Sequence, residues 1–359
     1  MTQRFEDHPG LPISLDRAMN LWETLLELII AAIAVASLLS NVLVLLCFAS
    51  SAEIRAQVPG VFVLNLSFCN ILAATVTMPS TMLGVARGAK PFGDLYCWIM
   101  SFADTFLTTN TMLSMAALSI DRWVAVVFPL TYSSKMRYTR AFAMLGYAWL
   151  HSLAFALTPV LLSWADYSPT YASCTIVRPD HTHTPHVPFT VFTALLHGAS
   201  FALSLAVICL AYLKVLQVAR FHCKRIDVVT VQTLLLLVDI HPSVKERCLL
   251  EQKKRRQRAT KKICVFIGSF VLCFSPYVIT RLTELVPSVR INRHWGIVSK
   301  CLVYSKAAMD PFVYSLLRQQ YRKALIGMTN RILGRNVYST SGHSSSSDTE
   351  NECNLQRVG

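Results

Sequence analysis

The chain has 359 residues, of which 53% are hydrophobic and 15% charged, and its mean hydropathy of +0.44 excludes an ordinary soluble domain of this size. The formal charge of +14 does not point to nucleic acid, because the Lys and Arg excess is concentrated beside apolar runs, where the positive-inside effect accounts for it. Of eleven cysteines, only Cys97 and Cys174 fall in segments read as outside the cell, where an oxidising exterior permits a bridge; no disulfide framework and no metal-ligand spacing is implied.

Met1 to Asn20 is polar and carries acids, so no cleaved signal peptide is expected and insertion starts from the first apolar run. That run, Leu28 to Ala52, is flanked by Glu27 and Glu53 and contains Asn41. The second apolar window lies between Arg55 and Arg87, with Asn65, Asn70 and a Met78-Pro79 kink. The third runs from Leu95 to Ile120 with Asp104 as its one charge; it exceeds the ~20 residues that cross a bilayer and ends at Asp121-Arg122-Trp123. A basic loop follows, then a fourth span, Ala141 to Ala165, with Trp149 and Pro159. Asp166 to about Pro185 reads as a polar loop with Cys174 at its middle.

The fifth window, Thr182 to Leu213, holds His197 and Ser204 and ends near Tyr212. A basic connector, Phe221 to about Lys254, leads to a sixth span whose core is Ile263 to Thr280, with Phe270 and the kink Cys273-Phe274-Ser275-Pro276. Within the connector, Val228 to Val238 is apolar but too short to span. Trp295 to Leu317 is the seventh and least apolar span, because Lys300, Lys306 and Asp310 lie in it. Counting Lys and Arg in the connections places the N-terminus outside and the C-terminus in the cytoplasm of a plasma-membrane protein.

The expected fold is therefore an all-α membrane protein, a seven-transmembrane helix bundle with a short amphipathic eighth helix. Residues 1–21 form the extracellular N-terminus and residues 22–317 the bundle, including a long cytoplasmic loop at about 221–254. Residues 318–334 form the amphipathic helix on the membrane, and 335–359 a tail disordered by composition.

Asn41, Asp121-Arg122, Trp149, the Cys97 and Cys174 pair, Cys273-Phe-Ser-Pro276 and Asp310-Pro311-Phe-Val-Tyr314 follow one another in an order that resembles the rhodopsin-like (class A) G-protein-coupled receptors. The resemblance covers nearly everything but the tail and the third inner loop. It implies a Cys97–Cys174 disulfide and a heterotrimeric G protein as partner, with no cofactor and no enzymatic activity. It also implies a switch formed by Asp121, Arg122, Tyr212 and Tyr314, which rearranges when the sixth helix swings outward. In detail the chain is similar to an orphan subgroup of the family, which implies coupling to the stimulatory G protein, a rise in cyclic AMP and activity without ligand.

Departures from the family pattern carry the mechanistic content. Asn70 and Asp310 exchange the usual acid and amide, and Lys306 precedes Asp310 by four residues, on the same helix face. A lone buried carboxylate is costly, so an ion pair of Lys306 with Asp310 beside Asn70 is expected where typical receptors bind sodium. Phe274 replaces a Trp in the kink toggle of Phe270, Phe274 and Pro276. The stretch Lys253 to Lys262 contains no acid that could hold Arg122 in a closed state, which points to a small gap between inactive and active forms.

Asp104 lies about 10 Å below Cys97 along a helix, where amine receptors of the family carry their ligand-binding Asp. Arg281, Lys300, Tyr304 and His197 complete a candidate ligand pocket. Asp104 either binds a ligand amine or pairs internally with Lys300. Tyr304 occupies the family's Schiff-base position, which argues against retinal. His181, His183 and His186 form a weak zinc pattern better read as a solvated loop. Ser339 to Ser347 offers sites for receptor kinases and then arrestin. A transporter or channel using Asp104, Lys300, Lys306 and Asp310 is the competing class, against which no duplication or pair of broken helices is visible.

Overall fold

The computed structural model describes residues 13–178, 186–236, 242–286, 288–313 and 319–332. It is a bundle of long helices. α1 (Ile13–Ser50) is followed by a short α2 (Ala52–Arg55), then α3 (Pro59–Leu72) and α4 (Met78–Arg87), which a π-helical turn at Ala73–Thr77 joins into one span. α5 (Asp94–Val127), a short α6 (Tyr132–Lys135) and α7 (Tyr138–Leu161) come next. Beyond the outer hairpin, α8 (His186–Thr193) and α9 (Ser200–Leu236) are joined through a second π turn at Ala194–Ala199. α10 (Pro242–Thr283), α11 (Arg293–Pro311) and α12 (Gln319–Ile332) complete the order.

The breaks have local causes. Pro79 has no N–H and its ring crowds the carbonyl four residues earlier, and the wider π turn just before it relieves that contact. The fifth span widens at Ala194–Ala199, where the Ser200 hydroxyl donates to the Leu195 carbonyl five residues back at 3.4 Å. In α10, Pro276 sits inside the helix, and Thr280 donates to the Pro276 carbonyl at 2.7 Å. Gly88, at φ 61°, ends α4 in the left-handed conformation that glycine adopts without a Cβ penalty.

Among the described residues, five helices are long and apolar enough to cross a membrane, and α5 joins them when taken with the sharply bent segment after it. α11 falls short of that test because of Lys300, Lys306 and Asp310, and all three are buried in the bundle. The outward faces carry Leu39, Leu46, Leu150, Leu203, Leu210 and Leu272, as a surface solvated by lipid requires. α5 is the central rod, packed on α3, α7, α9 and the outer hairpin. An inner core of Phe62, Leu66, Met115, Leu118, Ile208, Phe266, Phe270 and Phe274 fills the space around it. At the end of the bundle remote from the hairpin, Tyr321 of α12 is buried against Val44, Cys47, Ile54 and Val63.

Two expectations are revised. The outer loop read as polar contains an antiparallel hairpin, β1 (Ala165–Ser168) paired with β2 (Ser173–Ile176) in the register Ala165 to Ile176. β1 is buried at both ends and open between them, and β2 is buried along its whole length, so neither strand shows the alternation that would announce it. Cys174 of β2 is bonded to Cys97 at the top of α5. Lys90 adds an outer clasp, donating to Asp94 at 2.5 Å and to Asp166 of β1 at 2.7 Å. Partial burial alone would pull the Lys90 ammonium down, but its bonds to Asp166 and Asp94 outweigh that and hold its pKa above the ordinary value. The Asp166 carboxyl is held low: burial pushes it up, and the bonds from Lys90 and the Tyr167 N–H prevail.

The connector at about 221–254 is also largely helical, since α9 continues to Leu236 and α10 begins at Pro242. Lys, Arg, Gln, Glu and Leu are good helix formers, and Pro242 stands at a helix start, where a missing N–H costs nothing. Residues 179–185, with His181 and His183, and the Ser-rich tail lie outside the described residues.

A polar network ties α3, α5 and α7 at mid-depth. Asn65 donates to Asn110 and Ser114, each at 2.8 Å, and its Oδ1 accepts from the Trp149 indole at 2.8 Å. Trp149→Phe keeps a ring against Phe106 and removes the donor. The expected cost is about 0.6–1.7 kcal/mol, read as a lower unfolding temperature in detergent; an unchanged temperature would show that the indole bond contributes nothing.

Candidate functional site

Lys306 and Asp310, one turn apart on α11, form a buried ion pair between the ammonium and Asp310 Oδ1. The second carboxylate oxygen accepts from Asn70 Nδ2 at 3.2 Å, and the same amide reaches Asn41 Oδ1 at 3.2 Å. Asn41 in turn donates to the carbonyls of Ser37 at 2.8 Å and Ala307 at 3.0 Å. Four polar side chains from α1, α3 and α11 thus satisfy one another where water is excluded, the condition under which a buried charge pair is tolerated. A cation entering here would meet an ammonium already in place.

A small cavity of about 30 Å³, lined in part by Asn70, Asp104, Thr111, Tyr304 and Lys306, separates this pair from a second one above it. There Lys300 Nζ lies 3.2 Å from Asp104 Oδ2 and donates to Ser173 Oγ of β2 at 2.6 Å. Tyr304 donates to Asp104 Oδ1 at 3.4 Å, and its oxygen lies 2.8 Å from Thr81 Oγ1. Asp104, Lys300 and Tyr304 therefore come together as one cluster. The other two pocket candidates take hydrogen-bond and ring partners of their own. Arg281 Nη1 donates to Glu284 Oε2 at 2.8 Å and Nη2 to the Ile176 carbonyl at 2.6 Å, while His197 packs its ring 5.8 Å from Tyr277.

At the inner end Asp121 is fully buried and its Oδ1 accepts from Tyr132 of α6 at 2.7 Å. Burial, and then the bond to Asp121, push the Tyr132 phenol above its ordinary range. Arg122 Nη2 lies 3.5 Å from Asp121 Oδ2, too long for a strong charge-assisted bond; Asp121 is its one carboxylate partner among the described residues. Tyr212 is buried with its ring 4.7 Å from Phe266. Tyr314 lies outside the described residues. In the kink, Phe270 and Phe274 are 5.0 Å apart, and Phe270 stacks on Phe201 of α9 at 5.6 Å.

Residues 40–314 match the model of the 7 transmembrane receptor (rhodopsin family). The chain belongs to this family. The receptor is 56% identical to the G-protein coupled receptor 26 of Homo sapiens, over 93% of this chain and 98% of that protein. It is 57% identical to the G-protein coupled receptor 26 of Mus musculus over the same shares, and 50% identical to the G-protein coupled receptor 78 of Homo sapiens over 91% of this chain and 89% of that one.

Family membership makes α11 the seventh span despite its charges. It makes the molecule a multi-pass plasma-membrane receptor, not an enzyme, with a heterotrimeric G protein as its partner. No group of three metal-binding side chains occurs among the described residues. Tyr132 and Ser173 were not singled out from the sequence, and Asn65 and Trp149 were named there without the bond that joins them. Their partners lie on other elements, so no local pattern announces these contacts.

Proposed function

We propose that the receptor couples to the stimulatory G protein and raises cyclic AMP, with substantial output in the absence of ligand. The observation that carries the basal activity is the state of Arg122, whose one described carboxylate partner is its own neighbour at 3.5 Å. The stretch of α10 from Lys253 to Lys262 has seven cations and no acid, so closure of the inner mouth brings like charges toward the guanidinium. A small free-energy gap then leaves a sizeable fraction of molecules open at equilibrium. The choice of the stimulatory G protein rests on the resemblance to the orphan subgroup.

Asp121, Arg122, Tyr212 and Tyr314 serve in this reading as the switch, and Phe270, Phe274 and Pro276 as the hinge of the sixth helix. The N-terminus is outside and the C-terminus cytoplasmic. The Ser-rich tail recruits receptor kinases and arrestin. An amine ligand at Asp104 is the lesser reading, because such a ligand would have to displace Lys300. Cyclic AMP measured without ligand in cells expressing the receptor is expected to exceed the empty-vector level, and Arg122→Ala at equal surface abundance to return to it. Wild-type output at the vector level would overturn stimulatory basal coupling, and undiminished output from Arg122→Ala would overturn the switch.

A further inference from the structure

The outer hairpin reaches the Asp104 and Lys300 cluster through Ser173. Residues 171–176 are all buried, and the turn that carries them is wedged between two helices at glycines. A Cβ on Gly84 of α4 would stand 1.9 Å from the Ala172 carbonyl oxygen, and one on Gly296 of α11 would stand 2.2 Å from that of Thr170. The Tyr171 ring sits 5.5 Å from Tyr277 and under the Arg281 guanidinium at 5.1 Å. Ser173 takes the Lys300 ammonium, Ile176 takes Arg281, and Tyr167 donates to the Gly84 carbonyl at 3.0 Å. The disulfide at Cys97 fixes the whole ribbon to the third span.

We propose that this hairpin, through Thr170 to Ile176, is the receptor's own tethered activator. The inference rests on the receptor reading above, in which the inner end of the sixth helix moves outward. A helix pivoting at Pro276 moves its two arms in opposite directions. The bond from Arg281 to Ile176, on a strand anchored to α5, draws the outer arm of α10 toward the bundle axis. That is the displacement which accompanies opening at the inner mouth. A tethered occupant needs no encounter step and loses little entropy on docking, so its effect persists without any added compound.

The test perturbs the contact from both sides. Tyr171→Ala and Ser173→Ala remove groups on the hairpin, whereas Gly296→Ala pushes a methyl group into the Thr170 carbonyl from α11. Ligand-free cyclic AMP per surface receptor is expected to fall about three- to tenfold for Tyr171→Ala and Gly296→Ala, and in the same direction for the milder Ser173→Ala. The lipid-facing Leu203→Ala should leave it unchanged. Equal or higher output from any surface-matched hairpin variant would overturn the proposal. Should the two larger changes prevent surface delivery, Ser173→Ala alone decides. Wild-type output at the vector level would instead defeat the receptor reading on which it rests.

Discussion

Lys306→Met is expected to convert a receptor indifferent to sodium into one that sodium stabilises. In the wild type, Asp310 is neutralised by an ammonium carried on its own helix and held by Asn70. Replacing that ammonium with an isosteric thioether leaves a buried carboxylate bounded by Asn41 and Asn70, and removal of one partner of a buried pair costs about 3–5 kcal/mol. The vacated volume is lined by a carboxylate and amide oxygens, donors that suit a hard cation. The unfolding temperature of purified Lys306→Met should therefore lie well below wild type in potassium or choline chloride and recover in sodium chloride. Wild type should give one value in all three salts. The double variant Lys306→Met, Asp310→Asn has no charge left to compensate and should regain most of the stability, again without a sodium effect. Sodium dependence in the wild type, or none in Lys306→Met, would remove the ion pair from its assigned place.

Asp104→Asn should be nearly as damaging, for the mirror-image reason. It strands the Lys300 ammonium, almost fully buried, with Ser173 as a neutral acceptor. The loss is again about 3–5 kcal/mol for an uncompensated buried charge, visible without any ligand as reduced surface abundance and a lower unfolding temperature. Lys300→Met should be comparably harmful, and the pair together much less harmful than the sum of the singles. A double-mutant cycle on unfolding free energies is the measurement, with a coupling of about 2 kcal/mol or more expected for groups in contact. If Asp104 instead waits for a ligand amine, its neutralisation would leave the ligand-free receptor as stable as before.

The two predictions differ in how far the sequence reached them. Lys306 and Asp310 are separated by four residues of one helix, so helical geometry alone puts them on one face, and their pairing was expected before the helices were assembled. Asp104 and Lys300 are 196 positions apart. Sequence spacing left the carboxylate suspended between a ligand amine and an internal lysine, and the packing of α5 beside α11 determined which cation it meets. The buried hairpin was harder still. Its strands do not alternate in burial, and the glycines that admit it have meaning only once the loop's carbonyls are placed against them.

By itself, then, the sequence determined the number and order of the apolar rods, the irregular turn before Pro79, and the intrahelical ion pair. Each of these is a local property, set by transfer of side chains into lipid or by the 3.6-residue turn. Tertiary structure alone decided that Lys300 closes on Asp104 and Ser173, that Tyr132 holds Asp121, and that Arg281 grips the hairpin. These contacts join residues far apart along the chain, and a buried polar group takes whichever partner the packing of the rods presents to it.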